Sequence, residues 1–477
     1  MPLNFIDNRS VPANSGRTLP VIDPADGQPY AEIARSDASD IDVAVRSARR
    51  CFDTAWSRTT ATERGRLLMK LSAKVAEHAD ELAAIEQRDC GKPTKQAKAD
   101  AMALARYLEF YAGAADKLHG DTIPYLDGYS VLTWREPHGV TGHVIPWNYP
   151  MQIFGRCVGG ALAAGNVCVV KPAEDACLSL LRVAELAAEV GFPPGALNIV
   201  TGYGHEAGDA LARDPGIDHV SFTGSPRVGT LIQQAAAERH CPVTLELGGK
   251  GPQVLFDDAD VEAALPFLVG AIVQNAGQTC SAGSRLLVQR RLYEPLLERL
   301  GEAFRQLRAG PPAMDLDLGP LIRQSQLERV QGFLAQARSD GIAMAAEGRI
   351  AEEASPTGYY VAPVLLRDVP PDHRLAQEEI FGPVLVAMPF DDEDDAVALA
   401  NGTAYGLVAG VWTRDGARQF RMARRIRAGQ VFINNYGAGG GVELPFGGVK
   451  SSGHGREKGF EALLGFTTLK TVAFRHG

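Results

Sequence analysis

Cys280 stands in the segment "NAGQTCSAGSR" (275–285), among small and polar residues and with no histidine nearby in the chain. A thiolate adds readily to carbonyl carbon, so a cysteine placed this way is a candidate nucleophile; a buried, inert thiol is the competing reading. Glu246 lies 34 residues earlier, in "TLELGGKGP". A carboxylate beside a Gly-Gly pair can serve as a general base if partial burial raises its pKa. Asn148, in "PWNYP", carries an amide able to donate to an oxyanion, though an asparagine there also suits a turn. Together the three side chains suit attack on a carbonyl, stabilisation of the resulting oxyanion and activation of water.

Such residues need elements to hold them. From about Gly139, short β-rich runs alternate with helical ones: "VTGHVIPWN", "NVCVVKPAE", "ALNIVTGYG", "HVSFTGS" and "PVTLELGG" are separated by four helical stretches within about 110 residues. That alternation predicts a parallel, doubly wound α/β sheet. Ligands of such sheets sit beyond the carboxyl ends of the strands. Asn148, Lys171, Glu174, Gly204, Ser225 and Glu246 all fall at or just after those ends. A second α/β series follows from about Gly251, with strands expected in "SRLLVQ", "IFGPVLVAM", "GLVAGVWT" and "GQVFINN". The first ~120 residues read as mostly helical, and the chain closes on a strand-like "TTLKTVAFRHG".

Residue types also suggest a cofactor. In "SFTGSPRVGT", Ser225 is a candidate N-cap and Pro226 fits the first helical position. A helix start after a parallel strand is an anion site, because its free N–H groups point outward. "TGYGHEAG" (201–208) is a second glycine-rich turn, but its spacing is GxGxxxG and not the dinucleotide fingerprint GxGxxG. Either turn by itself is equally consistent with an ordinary tight connection. Lys171 and Glu174 in "VVKPAE" could hold ribose hydroxyls or form a surface ion pair.

Composition excludes several classes. The chain has 477 residues, enough for two or three domains. Its net charge of -9 argues against nucleic-acid or anionic-membrane partners. No apolar run reaches the ~18 residues of a membrane span, and the N-terminus lacks the pattern of a secretory signal. The seven cysteines are scattered, with no CxxC pair, so neither a disulfide framework nor a metal site is expected and a reducing cytoplasm is the default.

"PWNYP", "KPAE", "FTGS", "LELGGK", "GQTCSAGSR", "EEIFGPV" and "LPFGGVKSSGHGRE" occur in this order. With these motifs the sequence resembles the aldehyde dehydrogenase superfamily over nearly its whole length. The resemblance implies a Rossmann-type cofactor domain (1–121 and 138–248), an α/β catalytic domain (249–455) and a small β oligomerisation element (122–137 and 456–477). It implies that Cys280 attacks the aldehyde, that Asn148 and the Cys280 backbone N–H form the oxyanion hole, and that Glu246 activates the water that hydrolyses a thioester. Glu457, in "GRE", resembles a secondary carboxylate of a proton path; a salt bridge to Arg456 is the alternative.

The same resemblance implies NAD as cofactor, with NADP less favoured because Glu174 would repel a 2′-phosphate. Lys171, Pro172 and Glu174 would meet the adenosine ribose. Ser225 and nearby backbone would meet the pyrophosphate, and Glu379 with Phe381 would position the nicotinamide ribose and ring. Ile145, Pro146, Trp147, Gly204, Gly208, Phe222, Thr223, Gly224, Val228, Leu247 and Gly248 would complete the cofactor-binding set. A homodimer or homotetramer is implied, the C-terminal strand extending a neighbouring subunit's sheet.

For the substrate, Tyr149, Phe154 and Phe446 would supply an apolar wall. Arg156 is eight residues after Asn148, near the same face of the following helix. Succinate-semialdehyde-type members carry an arginine at this place, and a guanidinium suits a carboxylate. Their second arginine is replaced by Gln274 here, and the loop "YGAGGGVE" is unlike theirs. Arg156 is therefore open to three readings: a carboxylate reader, a contact to another polar tail, or a partner for a neighbouring side chain. A CoA-acylating relative is disfavoured by Glu246, and a fold kept only as a scaffold by the joint presence of Cys280, Glu246 and Asn148.

Overall fold

The computed structural model describes residues 3–437 and 441–476. Its first sheet has eight strands. Five of them are parallel and lie in the order Leu197–Ile199, Val167–Pro172, Val140–Ile145, His219–Thr223, Val243–Glu246. These are the five strands expected from the alternation of β and α runs. The order runs outward in both directions from Val140–Ile145, so that strand is the topological switch point. The loop after it carries Pro146, Trp147 and Asn148, and the loop after its neighbour carries Gly224 and Ser225. Strand order thus brings two distant loops to one crevice.

The helix Pro150–Ala164 starts directly after Asn148–Tyr149, with proline in its first turn, and nearly every residue in it is buried. It packs on Thr94–Ala114, where Gly155 lets the two helices approach: a Cβ there would lie 2.8 Å from that of Tyr107. Beneath its start sits a buried charge cluster. Lys92 Nζ is 2.7 Å from a Glu86 oxygen, also pairs with Asp100, and lies 4.3 Å from the centre of the Tyr149 ring. Gln152 donates to Asp100 at 2.6 Å. The buried cation balances two carboxylates that would otherwise face each other without water.

The N-terminal region is less helical than its composition suggests. Four strands precede the first helix. Thr18–Asp23 and Gln28–Ala34 form an antiparallel hairpin, burying Leu19, Val21 and Ile33 by alternation, and Asn4–Ile6 pairs with Leu197–Ile199 at the edge of the first sheet. Short strands with charged outer faces leave little period to read. In the helix Ala38–Asp53 the cap is Asp37, and Asp40 completes a capping box from the third helical position.

The second sheet has seven strands, including the expected Arg285–Gln289, Val384–Phe390, Val408–Trp412 and Gln430–Ile433. Its centre also holds Pro252–Leu255, a four-residue strand too short and proline-led to stand out in the sequence. A separate three-stranded sheet pairs Tyr129–Pro137 with Thr467–Arg475 over nine residues, and with Thr122–Ile123.

The boundary drawn near 455 needs correction. Gly453–His454 pairs with Val243–Glu246 and so belongs to the first sheet. The helix Gly459–Gly465 packs on Pro150–Ala164. Residues 456–465 therefore lie against the cofactor-side body, and of the C-terminal segment only the last strand joins the separate sheet. Backbone pairing decides this, and no composition change marks it.

Candidate active site

A cavity of about 590 Å³ opens at the carboxyl ends of the first sheet and reaches the second. Asn148, Glu246 and Cys280 all line it. So do Pro146, Trp147, Thr223, Gly224, Ser225, Gly248, Glu379 and Phe381. Residues separated by up to 259 positions in the chain, from Pro146 to Tyr405, thus share one chamber, of the size usual for a small-molecule site.

The loop carrying Cys280 is built on an unusual turn. Asn275, Ala276 and Gly277 are successively left-handed, with φ of 50°, 53° and 74°. Such a conformation costs an L-residue roughly 1–2 kcal/mol, so contacts must hold it. Gly277 is required there, because a Cβ would lie 2.2 Å from the Gly382 carbonyl. Asn275 Nδ2 donates to the Asn148 carbonyl at 2.9 Å, and Asn148 Nδ2 donates to the Gln278 carbonyl at 3.0 Å. The Tyr149 hydroxyl meets Thr279 Oγ1 at 2.9 Å. These bonds clamp the Asn148 loop to the Cys280 loop. An amide has two N–H donors, so Asn148 retains a second after bonding Gln278. Gly249 allows the strand end to pass behind the nucleophile: a Cβ there would lie 2.4 Å from the Cys280 carbonyl oxygen.

Enclosure sets the resting charges. Burial, opposed by Arg156, pushes the Cys280 thiol up to about 12, so the resting group is a thiol. Burial and the neighbouring Glu457 charge hold Glu246 well above the usual carboxylate range. Neither Glu246 oxygen has a hydrogen-bond partner among the described residues. A buried carboxyl without a protein partner is unusual in structures, and it suits a group that binds water and exchanges protons.

The cofactor-side residues divide into two groups. Ser225 caps the helix Pro226–Ala237, its Oγ accepting from Val228 N at 3.4 Å, with Pro226 at the first position as expected. The helix start faces the cavity, where its free N–H groups suit a phosphate. Glu379 lies beyond, one oxygen accepting from Gly249 N at 2.9 Å, and burial lifts its carboxyl to about 7. Phe381, itself left-handed at φ 62°, sets its ring edge-on to Trp147 at 5.4 Å.

Ile145, Lys171, Pro172, Glu174, Gly204, Gly208, Phe222, Val228 and Leu247 are not part of that wall. Ile145, Phe222 and Leu247 are packed in the first core. Lys171 is not the surface ion pair that was one reading of "VVKPAE". Its side chain is 3% exposed, and Nζ is 2.9 Å from Glu174. Burial works to raise the Glu174 carboxyl, yet Lys171 holds it below its ordinary value. Gly204–Gly208 forms a π-helical turn beside Lys171, tied by an Arg35–Glu206 ion pair.

Five lining residues were not foreseen: Arg227, Arg323, Gln326, Arg329 and Tyr405. Arg329 donates to the Glu379 carbonyl and Gln326 to that of Phe381, both at 2.7 Å or less, which fixes the left-handed Phe381 loop. They come from the helix Gln324–Ser339 and its leading turn, with no motif around them. Only the Ser225-Pro226 pair signalled its neighbour Arg227.

One expectation is corrected. Glu457 does not pair with Arg456, which donates to the Gly448 and Gly455 carbonyls. Glu457 is fully buried and lies 2.5 Å from Arg156. Arg156 is 8% exposed, stacks over the Phe446 ring at 4.8 Å, and its charge opposes the burial of Cys280. The contact seen for it in the structure is with a neighbouring side chain, Glu457. Phe446 packs in a small cluster with Cys280 and Tyr436, while Tyr149 and Phe154 are buried in the first core. The loop "YGAGGGVE" lies partly outside the described residues, at positions 438–440.

The aldehyde dehydrogenase family model matches residues 11–472. The chain belongs to the aldehyde dehydrogenase family. It is accordingly an oxidoreductase acting on an aldehyde. A hydroxyisobutyraldehyde dehydrogenase of Mycolicibacterium austroafricanum is 41% identical over 99% of this chain and 93% of its own. A crystal structure of a protein from Burkholderia cenocepacia is 70% identical, superposes with a TM-score of 0.99 and covers both chains completely. The NAD+ complex of the Bacillus cereus aldehyde dehydrogenase is 40% identical with a TM-score of 0.96, covering 99% of this chain and 96% of that one. Among the described residues of this aldehyde dehydrogenase, no group of three or more His, Cys, Asp and Glu could hold a metal ion. No described helix is long and apolar enough to cross a membrane.

Proposed function

We propose that this aldehyde dehydrogenase oxidises its substrate to a carboxylic acid through a covalent thioester on Cys280. The observation that carries the reading is the convergence of Cys280, Asn148 and the unpartnered Glu246 on one chamber. Cys280 loses its proton to water in the chamber as its sulfur adds to the aldehyde carbon, forming a tetrahedral oxyanion that becomes the thioester when hydride departs. The free N–H of the Asn148 amide and the Cys280 backbone N–H receive that charge; each such donor is typically worth about 3 kcal/mol. Bound NAD supplies the hydride acceptor. Glu246 then takes a proton from water, the hydroxide attacks the thioester, and the acid leaves with the thiol restored. Glu246 is raised because it is buried, and a raised carboxylate is the stronger base once ionised.

The pocket's own groups fit a dinucleotide. The capped helix start at Ser225 suits its pyrophosphate, and Glu379 and Phe381 suit the nicotinamide end. The Lys171–Glu174 pair suits an adenosine ribose. A carboxylate held in its charged form by Lys171 disfavours a 2′-phosphate, so NAD is the preferred cofactor. With a neutral aldehyde at saturation and cofactor varied, kcat/KM for NAD exceeds that for NADP by about tenfold or more, the factor a charge conflict of ~1.4 kcal/mol produces. Glu174→Gln narrows the ratio. Equal kcat/KM for both cofactors in the wild type overturns the preference, and an absence of NADH alongside product formation overturns the redox reading itself.

The body of the first sheet serves the cofactor and that of the second the nucleophile. The three-stranded sheet forms an oligomer contact, because Trp134, Leu469 and Phe474 are exposed on it. Sedimentation then gives a mass of two or four copies of the 51.0 kDa chain; a monomer refutes it. All seven cysteines are unpaired, in keeping with a reducing cytoplasm, which cell fractionation tests.

A further inference from the structure

The buried pair of Arg156 and Glu457 has no counterpart in a reading where Arg156 meets the substrate. Arg156 is on the helix that begins after Asn148; Glu457 is on the segment that returns from the second sheet. Phe446 and Glu457 exchange backbone hydrogen bonds at 2.6 and 2.7 Å, locking that return in place. Glu457 Oε1 accepts from Ser221 Oγ and Thr223 Oγ1, at 3.4 and 3.5 Å. Thr223 is the register partner of Glu246 on the adjacent parallel strand. Gly447, next to Phe446, lies so close to Glu246 that a Cβ there would be 2.7 Å from its carboxylate. Two carboxylates and the Arg156 guanidinium are therefore gathered at one side of the chamber, and Arg156 pairs directly with Glu457.

We propose that Arg156 is a positioning residue: by locking Glu457 as a buried anion beside Glu246, the pair sets the pH range in which Glu246 can take a proton from water. This rests on the reading of Glu246 as the base for thioester hydrolysis. With all three groups charged, the cluster of Glu246, Glu457 and Arg156 carries one net negative charge, and burial makes it costly. Glu246, lacking the cation, is the group that keeps its proton longest, in line with its raised pKa. Glu457 is raised by its own burial but held back by Arg156 and by the Ser221 and Thr223 hydroxyls.

Other titratable groups face the cluster. Glu246 is also faced by Arg456 and Cys280. The pair is faced by Tyr107 and Tyr111 of the Thr94–Ala114 helix, by Cys157 next to Arg156, and by Lys458. Tyrosine and cysteine here are pushed upward by burial, so they remain neutral where the base operates. Arg456 adds positive charge from the return segment, while burial lowers Lys458 to about 8, so its charge is lost in the upper part of the assay range; both residues stay in place in the variants that follow.

The test uses p-nitrophenyl acetate, whose burst reads acylation of Cys280 and whose steady state reads deacylation, across about pH 5.5–9.5. Arg156→Leu leaves two buried carboxylates without their cation, so the acidic limb of deacylation moves up by about one pH unit or more. Glu457→Gln leaves Arg156 facing Glu246 alone, and the limb moves down by a similar amount. Arg156→Lys restores the limb close to its wild-type position. A pair that only holds the fold would lower amplitudes without opposite displacements. Limbs that stay put in both variants, or move in the same direction, overturn the proposal. If Arg156→Leu does not fold, Glu457→Gln and Arg156→Lys still decide it by the downward shift and the restoration. The Glu246→Gln variant separates this from the underlying reading: if its deacylation keeps the wild-type limb, Glu246 is not the base, whatever Arg156 does.

Discussion

Cys280→Ala abolishes both aldehyde-dependent NADH formation and ester hydrolysis, by about 10⁴-fold or more, while NAD+ binds as before. Loss of a covalent nucleophile removes the step on which every later one depends, and such losses are among the largest in enzymes. The other six cysteines are buried, so none can substitute. Alanine also fits the site: the turn before Cys280 is held by Asn275, Gly277 and Gln278, and none of their hydrogen bonds involves the thiol. The cofactor-side wall, from Ser225 to Glu379, is likewise untouched. Fluorescence titration with NAD+ and turnover assays on the same preparation check both halves. Residual turnover within a hundredfold of wild type would mean that another group carries the chemistry.

Glu246→Gln has the second-largest effect, and it falls on one half of the cycle. The burst of NADH persists, because addition to the aldehyde and hydride departure need Cys280 and Asn148. Steady-state turnover falls about 10²–10⁴-fold, the range a general base contributes. The acyl group stays on Cys280 and adds its mass to the intact protein in mass spectrometry. The glutamine amide keeps the shape of the carboxyl but cannot take a proton. Glu457 cannot stand in, because Arg156 holds it and it lies outside the chamber wall. Wild-type steady-state turnover without acyl-enzyme would remove Glu246 from the role.

Much of this site was legible before any fold was known. The strand and helix alternation from Gly139 onward placed Asn148, Ser225 and Glu246 at strand ends, because a parallel sheet exposes those ends and nothing else. Ser225 followed by proline was readable as a helix start, since capping is a property of three or four consecutive residues. The two outer strands near the N-terminus were not readable, because each is too short to express a period and the inner one, Asn4–Ile6, is paired to a residue almost 200 positions away.

The sequence by itself determined which side chains have the chemistry: a thiol in a small-residue loop, a carboxyl after a strand, an amide before a helix. Those are local matters of residue type and neighbouring backbone. Only the tertiary structure decided what surrounds them. It paired Arg156 with Glu457, because a helix face allows a side chain several directions and the returning segment at Phe446–Glu457 offers a buried counter-charge in one of them. It brought Arg323, Gln326 and Arg329 to the cofactor wall from a helix with no motif. It also gave Glu246 its burial and its unpaired oxygens. Burial and charge pairing are made between segments far apart in the chain, and they set the pKa values on which the reaction runs.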